Sequence, residues 1–188
     1  MERKRFILGL ALSASTEKKD YIRFCLDRQY DHQLASSWIR KFKKKGPQCI
    51  GRGRKGLSTK IHLGLSPGFV HGACLSEGQR VDMKVFSKLW SVGDWGDVLY
   101  VIADKGYDFY EVRKCLREAG KKPVIPRRKG AVCPGVQDKE RYQTRSNIER
   151  FFGKIKENKR LALRFDKLDV TFFSFFAIAC LRGLNLLC

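Results

Sequence analysis

Apolar and polar positions along this chain fall into blocks that mark out its elements one after another. Tyr21–Leu26 (YIRFCL) gathers aromatic and β-branched residues and stops at Asp27, as a strand does. LSTKIHLGL (57–65) and FVHGACL (69–75) are two more strand-like stretches, and the Ser66, Pro67 and Gly68 between them predict a hairpin. Val81, Val85 and Leu89 recur at helical spacing before the Gly/Asp-rich GDWGD turn. VLYVIAD (98–104) is a continuous apolar run closed by an acid, the pattern of a strand buried on both faces. Phe109–Ala119 reads as a helix stopped by Gly120, and Lys122–Ile125 as a short strand before Pro126. A long helix is expected from about Asp138 to Arg160, followed by an apolar helix from Val170 to the end of the chain.

A strand, a hairpin, alternating helices and strands and two closing helices together predict an α/β fold with a mixed sheet. The 188 residues suit one domain with one substantial core. Within it we expect an N-terminal extension (1–20), a body (21–170) carrying a basic loop at 39–60, and a terminal apolar helix (171–188) packed on the core. The run in that last helix is broken at Arg182 after about a dozen residues, short of the ~20 needed to span a bilayer, so no membrane role is expected. Residues 1–15 have the outline of an export signal, but the apolar run Phe6–Leu12 is at the short end for one. The seven cysteines are odd in number, irregularly spaced and without a CxxC, and only three histidines are present. Neither a disulfide framework nor a zinc cage is supported, and reduced thiols in a cytoplasmic protein are the expectation.

Charge changes the picture further. Thirty-nine Lys and Arg face nineteen Asp and Glu, a formal net charge of +20, while 43% of the residues are hydrophobic and 12% aromatic. A disordered polycation would be poor in both classes, so the excess charge belongs to the surface of a folded body, where it attracts polyanions. Nine bases and no acid lie within residues 39–60, and Arg127, Arg128 and Lys129 form a second cluster. Phosphate contacts from such groups supply affinity with little sequence information, and nucleic acid is the expected partner.

In so basic a chain, the placing of individual acids is informative. Asp104 follows VLYVIA and precedes Lys105-Gly106-Tyr107, at the carboxyl end of a predicted central strand, where α/β folds concentrate their functional groups. The plainer alternative is an Asp that caps the next helix. On the long helix, Tyr142, Arg145, Glu149, Phe152 and Lys156 are spaced 3, 4, 3 and 4. At roughly 100° per residue they share an arc of about 80°, beside a core-facing stripe of Ile148, Phe151 and Ile155. An ordinary i, i+4 pair of Arg145 with Glu149 would look the same. His62 and His71 lie in strand-like stretches and are expected to be core or hydrogen-bonding residues; Asp82 is expected to cap a helix rather than to bind a metal.

The spacing Tyr142-x2-Arg145-x3-Glu149-x6-Lys156 resembles the Tyr-Arg-Glu-Lys signature of bacterial insertion-sequence DDE transposases, most nearly the insertion-sequence-five family. Stretches similar to that family's other motifs occur in the same order: GRGRKGLSTKIH (51–62), Gly78 to Asp82, and ADKGYD (Ala103 to Asp108). The resemblance covers about residues 50–170. It implies a ribonuclease-H-like fold and a metal-dependent DNA cleavage and strand-transfer activity, with Asp104 and Glu149 as the second and third metal-binding acids. By its place after YIRFCL, Asp27 is the candidate for the first; alignment on His32-Gln33 would instead set Cys25 there. Two Mg²⁺ (or Mn²⁺) ions would be the cofactors, since hard cations prefer carboxylate oxygens. Tyr142, Arg145 and Lys156 would meet DNA beside the metals, with Arg52, Arg54, Lys55, Lys60, Lys105, Arg127 and Arg128 extending the contact. The family further implies a homodimer on DNA and, because few residues precede Asp27, an upstream DNA-binding polypeptide. The rival expectation is a related module that grips DNA without cutting it.

Overall fold

The alternation over 57–65 and 69–75 is realised as paired strands joined through a turn at Pro67 and Gly68, where Gly68 takes the left-handed conformation (φ 71°) that glycine adopts without strain. The computed structural model describes residues 21–31, 46–53, 56–96, 98–131 and 138–186, with the backbone alone for 21–31 and 53. Its strands are β1 (Tyr21–Asp31), β2 (Gly51–Gly53), β3 (Gly56–Ser66), β4 (Phe69–Glu77), β5 (Tyr100–Ile102) and β6 (Lys122–Val124). The helices are α1 (Met83–Val92), α2 (Tyr110–Glu118), α3 (Lys139–Gln143), α4 (Ser146–Lys156), α5 (Lys159–Ala162) and α6 (Asp169–Gly183), with a single 3₁₀ turn at Lys105–Tyr107.

The six strands form one sheet in the order β2-β3-β1-β5-β6, with β4 on β3. β1 runs parallel to β5 (Tyr21 opposite Tyr100, Arg23 opposite Ile102), β5 runs parallel to β6, and β2 lies antiparallel to β3. The fold is therefore α/β with a mixed sheet, as the order of elements predicts.

Three elements differ from expectation. β1 continues past Leu26 to Asp31, so Asp27 lies inside the strand and not at its end. Its neighbour β3 is itself eleven residues long, and a backbone ladder persists through polar residues as long as a partner strand accompanies it. The basic stretch 39–60 is not all loop, because Gly51–Gly53 pairs with Gly56–Ser58. The reversal uses Gly56 at φ 117°, a conformation closed to other residues, so the glycines of GRGRKG build a hairpin. Residues 39–45, Arg54 and Lys55 lie outside the described residues.

The long helix predicted over 138–160 is three helices. Thr144 donates its hydroxyl to the Arg141 carbonyl (2.6 Å), and Asn158 accepts from the Arg160 N–H (3.1 Å) as the N-cap of α5. Both side chains offer the backbone a local alternative to the helical ladder, and the breaks fall at them.

The residues group into two compact units. The first contains Val81–Glu149 with His62–Cys74 and the start of β1. Its core sets Val85, Phe86 and Leu89 of α1 and Val112 and Leu116 of α2 with Val101, Ala103, Tyr107 and Ile125. Each such side chain removed from water contributes about 1.5–3 kcal/mol. Trp95 lies in the same cluster, stacked on Trp90 with ring centroids 5.1 Å apart.

The second unit contains Arg150–Cys188 with Leu26–Ile61 and Leu75–Arg80. Phe151, Phe152 and Ile155 of α4, Leu161 of α5, and Phe172, Phe176, Ala179 and Cys180 of α6 are buried there. Among them sits Arg164, whose side chain is 0% exposed. Its guanidinium donates to Asp169 Oδ1 (2.6 Å), to the Cys49 and Asp166 carbonyls and to the Thr59 hydroxyl, and stands over the Phe172 ring. Among the described residues, no helix is long and apolar enough to cross a membrane.

Candidate active site

Asp104 is placed by the strand before it and the turn after it. β5 ends at Ile102, Ala103 is buried and bonds back to the sheet through Val124 O, and Asp104 is still extended (φ −80°, ψ 175°). The chain then folds at once into the Lys105–Tyr107 turn, and Asp104 Oδ1 accepts from the Gly106 N–H at 2.8 Å. The cap expected as the plainer alternative is present, and it occupies one of the carboxylate's several lone pairs. Tyr107 locks the turn from below: it is 1% exposed and its hydroxyl lies 2.9 Å from His62 Nδ1. His62 and His71 are thus both buried hydrogen-bonding residues, His71 lying between the Ser66 hydroxyl and the Asp94 carbonyl.

A second carboxylate stands across this turn. Asp82 occupies the N-cap position of α1, as expected, but makes no side-chain cap bond. A Cβ built on Gly106 would lie 2.6 Å from Asp82 Oδ2 and 2.8 Å from Asp104 Oδ1, so the missing side chain leaves a cradle next to a carboxylate oxygen of each. That donor set is oxygen only, which suits Mg²⁺ or Mn²⁺ and not softer metals. Asp82 is 9% exposed, and Asp104 is partly buried.

Basic groups surround the same turn. Lys105 is exposed. The Arg128 guanidinium donates to the Lys105 carbonyl (3.1 Å) and the Gly106 carbonyl (3.3 Å) and lies 4.0 Å over the Phe109 ring. Arg127 approaches Asp108, which is also bonded by Arg113 and by the Arg128 N–H. Burial opposes the charge on Asp108, but the Arg128 N–H, the Arg113 hydrogen bond and the two nearby guanidiniums hold its carboxyl below the usual carboxylate range.

The Tyr-Arg-Glu part of the signature is assembled as one hydrogen-bonded unit. Tyr142 is in α3, Arg145 in the joining turn and Glu149 in α4. Arg145 donates to the Tyr142 hydroxyl at 2.8 Å and makes a close ion pair with Glu149. The turn is closed by i→i+3 bonds, which bring residues three apart onto one side as a helix would. Burial works against the charge on Arg145, yet the Tyr142 hydroxyl and the Glu149 carboxylate hold it more firmly protonated than usual. The Glu149 side chain is 55% exposed. Ile148, Phe151, Phe152 and Ile155 form the buried stripe, and Lys156 ends α4 half-buried.

The remaining predicted residues are dispersed. Arg52 is exposed in β2, and Lys60 of β3 donates its ammonium to the Arg80 carbonyl at 2.7 Å. Arg54 and Lys55 lie outside the described residues, as does the side chain of Asp27. The β1–β5 pairing ends with Arg23 opposite Ile102, four residues before Asp27. Among the described residues, no three His, Cys, Asp or Glu side chains gather closely enough to hold a metal. Sequence reasoning overlooked Asp108 as an organiser. Its only signal was an arginine five residues on, at a buried position of α2.

Residues 18–184 match the family model described as the transposase DDE domain. No curated protein matches the chain.

Proposed function

The chain belongs to the transposase DDE-domain family, and on that premise we propose that it is a DNA transposase of the insertion-sequence-five type, with a ribonuclease-H-like core, that cleaves DNA and transfers the cut strand. The observation that carries this reading is the position of Asp104: a carboxylate at the carboxyl end of β5, facing a cradle walled by a second carboxylate and fringed by Lys105 and Arg128. Anionic oxygens for a cation, beside cations for a phosphate, are what phosphodiester chemistry requires.

Asp27, Asp104 and Glu149 would hold the divalent ions, two Mg²⁺ or Mn²⁺. Bound there, such ions stabilise the charge of the phosphate under attack and raise the nucleophilicity of water or a 3′-hydroxyl. The chain's own residues do the rest. The Gly106 N–H fixes one Asp104 oxygen and so orients the carboxylate. Arg145, held by Tyr142 and paired with Glu149, fixes the position of that carboxylate and supplies positive charge where a DNA backbone would pass. Arg52, Arg54, Lys55, Lys60, Lys105, Arg127, Arg128 and Lys156 supply sequence-independent phosphate contacts. Joining two element ends calls for a homodimer on the DNA.

The test is nicking of supercoiled plasmid with Mg²⁺ or Mn²⁺. We expect cleavage by the wild type and a loss of at least about 100-fold in Asp104→Ala and Glu149→Ala, the scale of removing groups that stabilise transition-state charge. Asp27→Ala decides the first acid by the same measure. DNA binding with no cleavage at any metal concentration would overturn the enzymatic reading in favour of a binding module.

A further inference from the structure

We propose that Asp108 is a positioning residue that sets the Arg127–Arg128 turn as a clamp for the nucleic-acid phosphate backbone next to Asp104; this rests on the DNA-processing reading above. Asp108 is almost sealed from solvent, its side chain 4% exposed. Oδ1 accepts from Arg113 Nε (2.9 Å) and Nη2 (2.8 Å), with Arg127 Nη1 at 3.4 Å, while Oδ2 accepts from the backbone N–H of Arg128 at 2.8 Å. Arg113 in turn donates to the Ile125 carbonyl at 2.7 Å. One carboxylate thus ties α2 to both ends of the segment that carries Arg127 and Arg128.

The charges show that neutralisation is not the purpose. The ion pair with Arg113, made through two N–H donors to one oxygen, already balances Asp108, so the charge of Arg127, whose side chain is 32% exposed, is surplus, and so is that of Arg128. A guanidinium has five N–H donors. Arg128 spends two on the Lys105 and Gly106 carbonyls, leaving three, and its stacking on Phe109 fixes their plane. A planar fork held rigidly with donors in reserve is the arrangement that binds phosphate in a bidentate manner. The carbonyls that hold it belong to the two residues following Asp104, so a phosphate gripped there lies at the candidate metal-binding acid.

The test is binding of a fluorescein-labelled random-sequence duplex by anisotropy, in EDTA, across a salt series. A purely electrostatic role and a positioning role predict opposite signs. Asp108→Asn removes a negative charge, so a bystander carboxylate would give tighter binding. A positioning carboxylate gives roughly tenfold weaker binding, with the salt slope reduced by about one phosphate contact or more. Arg127→Gln and Arg128→Gln each lower that slope by about 0.9 in the wild type, and Arg128→Gln has little further effect in the Asp108→Asn background. Should Asp108→Asn fail to fold by circular dichroism, Asp108→Glu decides. It keeps the charge beside Arg113, but the extra methylene moves the Arg128 N–H out of place, so it too weakens binding and flattens the slope. Wild-type DNA binding matched or exceeded by these variants, with an unchanged slope, overturns the clamp alone. A wild type that does not bind duplex DNA overturns the proposed function and the clamp with it.

Discussion

Only hydrogen fits on Gly106 where two carboxylate oxygens approach within 2.6 and 2.8 Å of a would-be Cβ. Gly106→Ala should therefore cost about 1–3 kcal/mol of stability, the usual effect of overpacking, and should lower metal-dependent nicking by displacing the Asp104 carboxylate. Urea denaturation followed by tryptophan fluorescence measures the first effect and the plasmid assay the second. Asp108 gives a prediction in pH. Its carboxyl is held below the ordinary value of 3.8 in the folded protein, so its contribution is complete above that value and is lost as pH falls through the folded pKa. Asp108→Asn should thus show a shallower loss of stability from about pH 4 downwards than the wild type, read from denaturation midpoints at a series of pH values. Equal slopes in the two proteins would contradict the assignment. Both residues lie in the ADKGYD stretch, but their partners were not legible there: the role of Gly106 depends on Asp82, twenty-four positions earlier, and that of Asp108 on Arg127 and Arg128, about twenty positions later.

Elements were legible where a local rule sufficed. The β3–β4 hairpin follows from two strand-like runs around a Pro-Gly turn, and α2 ends as expected, with Gly120 at φ 72°. Within 138–160 the apolar spacing carries on across Thr144 and Asn158, so periodicity missed the breaks, although residues with those side chains are known competitors for backbone hydrogen bonds. Arg164 was not legible at all. Its partners Cys49 and Thr59 are 115 and 105 residues away, and only the tertiary fold brings them to it. It joins the start of α6, through Asp169, to β3 and to the segment before β2, since Asp169 also accepts from the Cys49 N–H at 2.8 Å. Arg164→Met should destabilise the protein by about 3 kcal/mol, the scale of breaking an ion pair whose guanidinium is fully buried. The double variant with Asp169→Leu should recover part of that loss, because exchanging both partners for apolar groups leaves no stranded charge. Chemical denaturation of the two variants checks this, and a double variant no better than the single one would refute it.

At the scale of the whole molecule, composition points to polyanions as the partner class, because a formal charge of +20 on a folded chain raises a field that attracts them. The logarithm of DNA affinity should accordingly fall linearly with the logarithm of salt concentration, with a slope of about −0.9 per phosphate neutralised, and a titration between 50 and 200 mM would show a fall of orders of magnitude if about six or more phosphates are engaged. A flat response would remove the electrostatic basis of the proposal. The placing of the acids was not legible to the same degree: the helical spacing anticipated the Arg145–Glu149 pair, which an ordinary helix would also form, whereas the approach of Asp82 to Gly106 comes from the packing of α1 against the Asp104 turn. The sharing of a single carboxylate between Arg113 and Arg127 has one more consequence, which bears on handling the protein. Cations crowded this closely repel one another whenever no nucleic acid is present, and small multivalent anions from the buffer relieve that repulsion by mass action. Preparations kept in phosphate or sulfate should melt at a higher temperature than those kept in chloride of the same ionic strength, and the gap should narrow once Arg127 and Arg128 are replaced by glutamine.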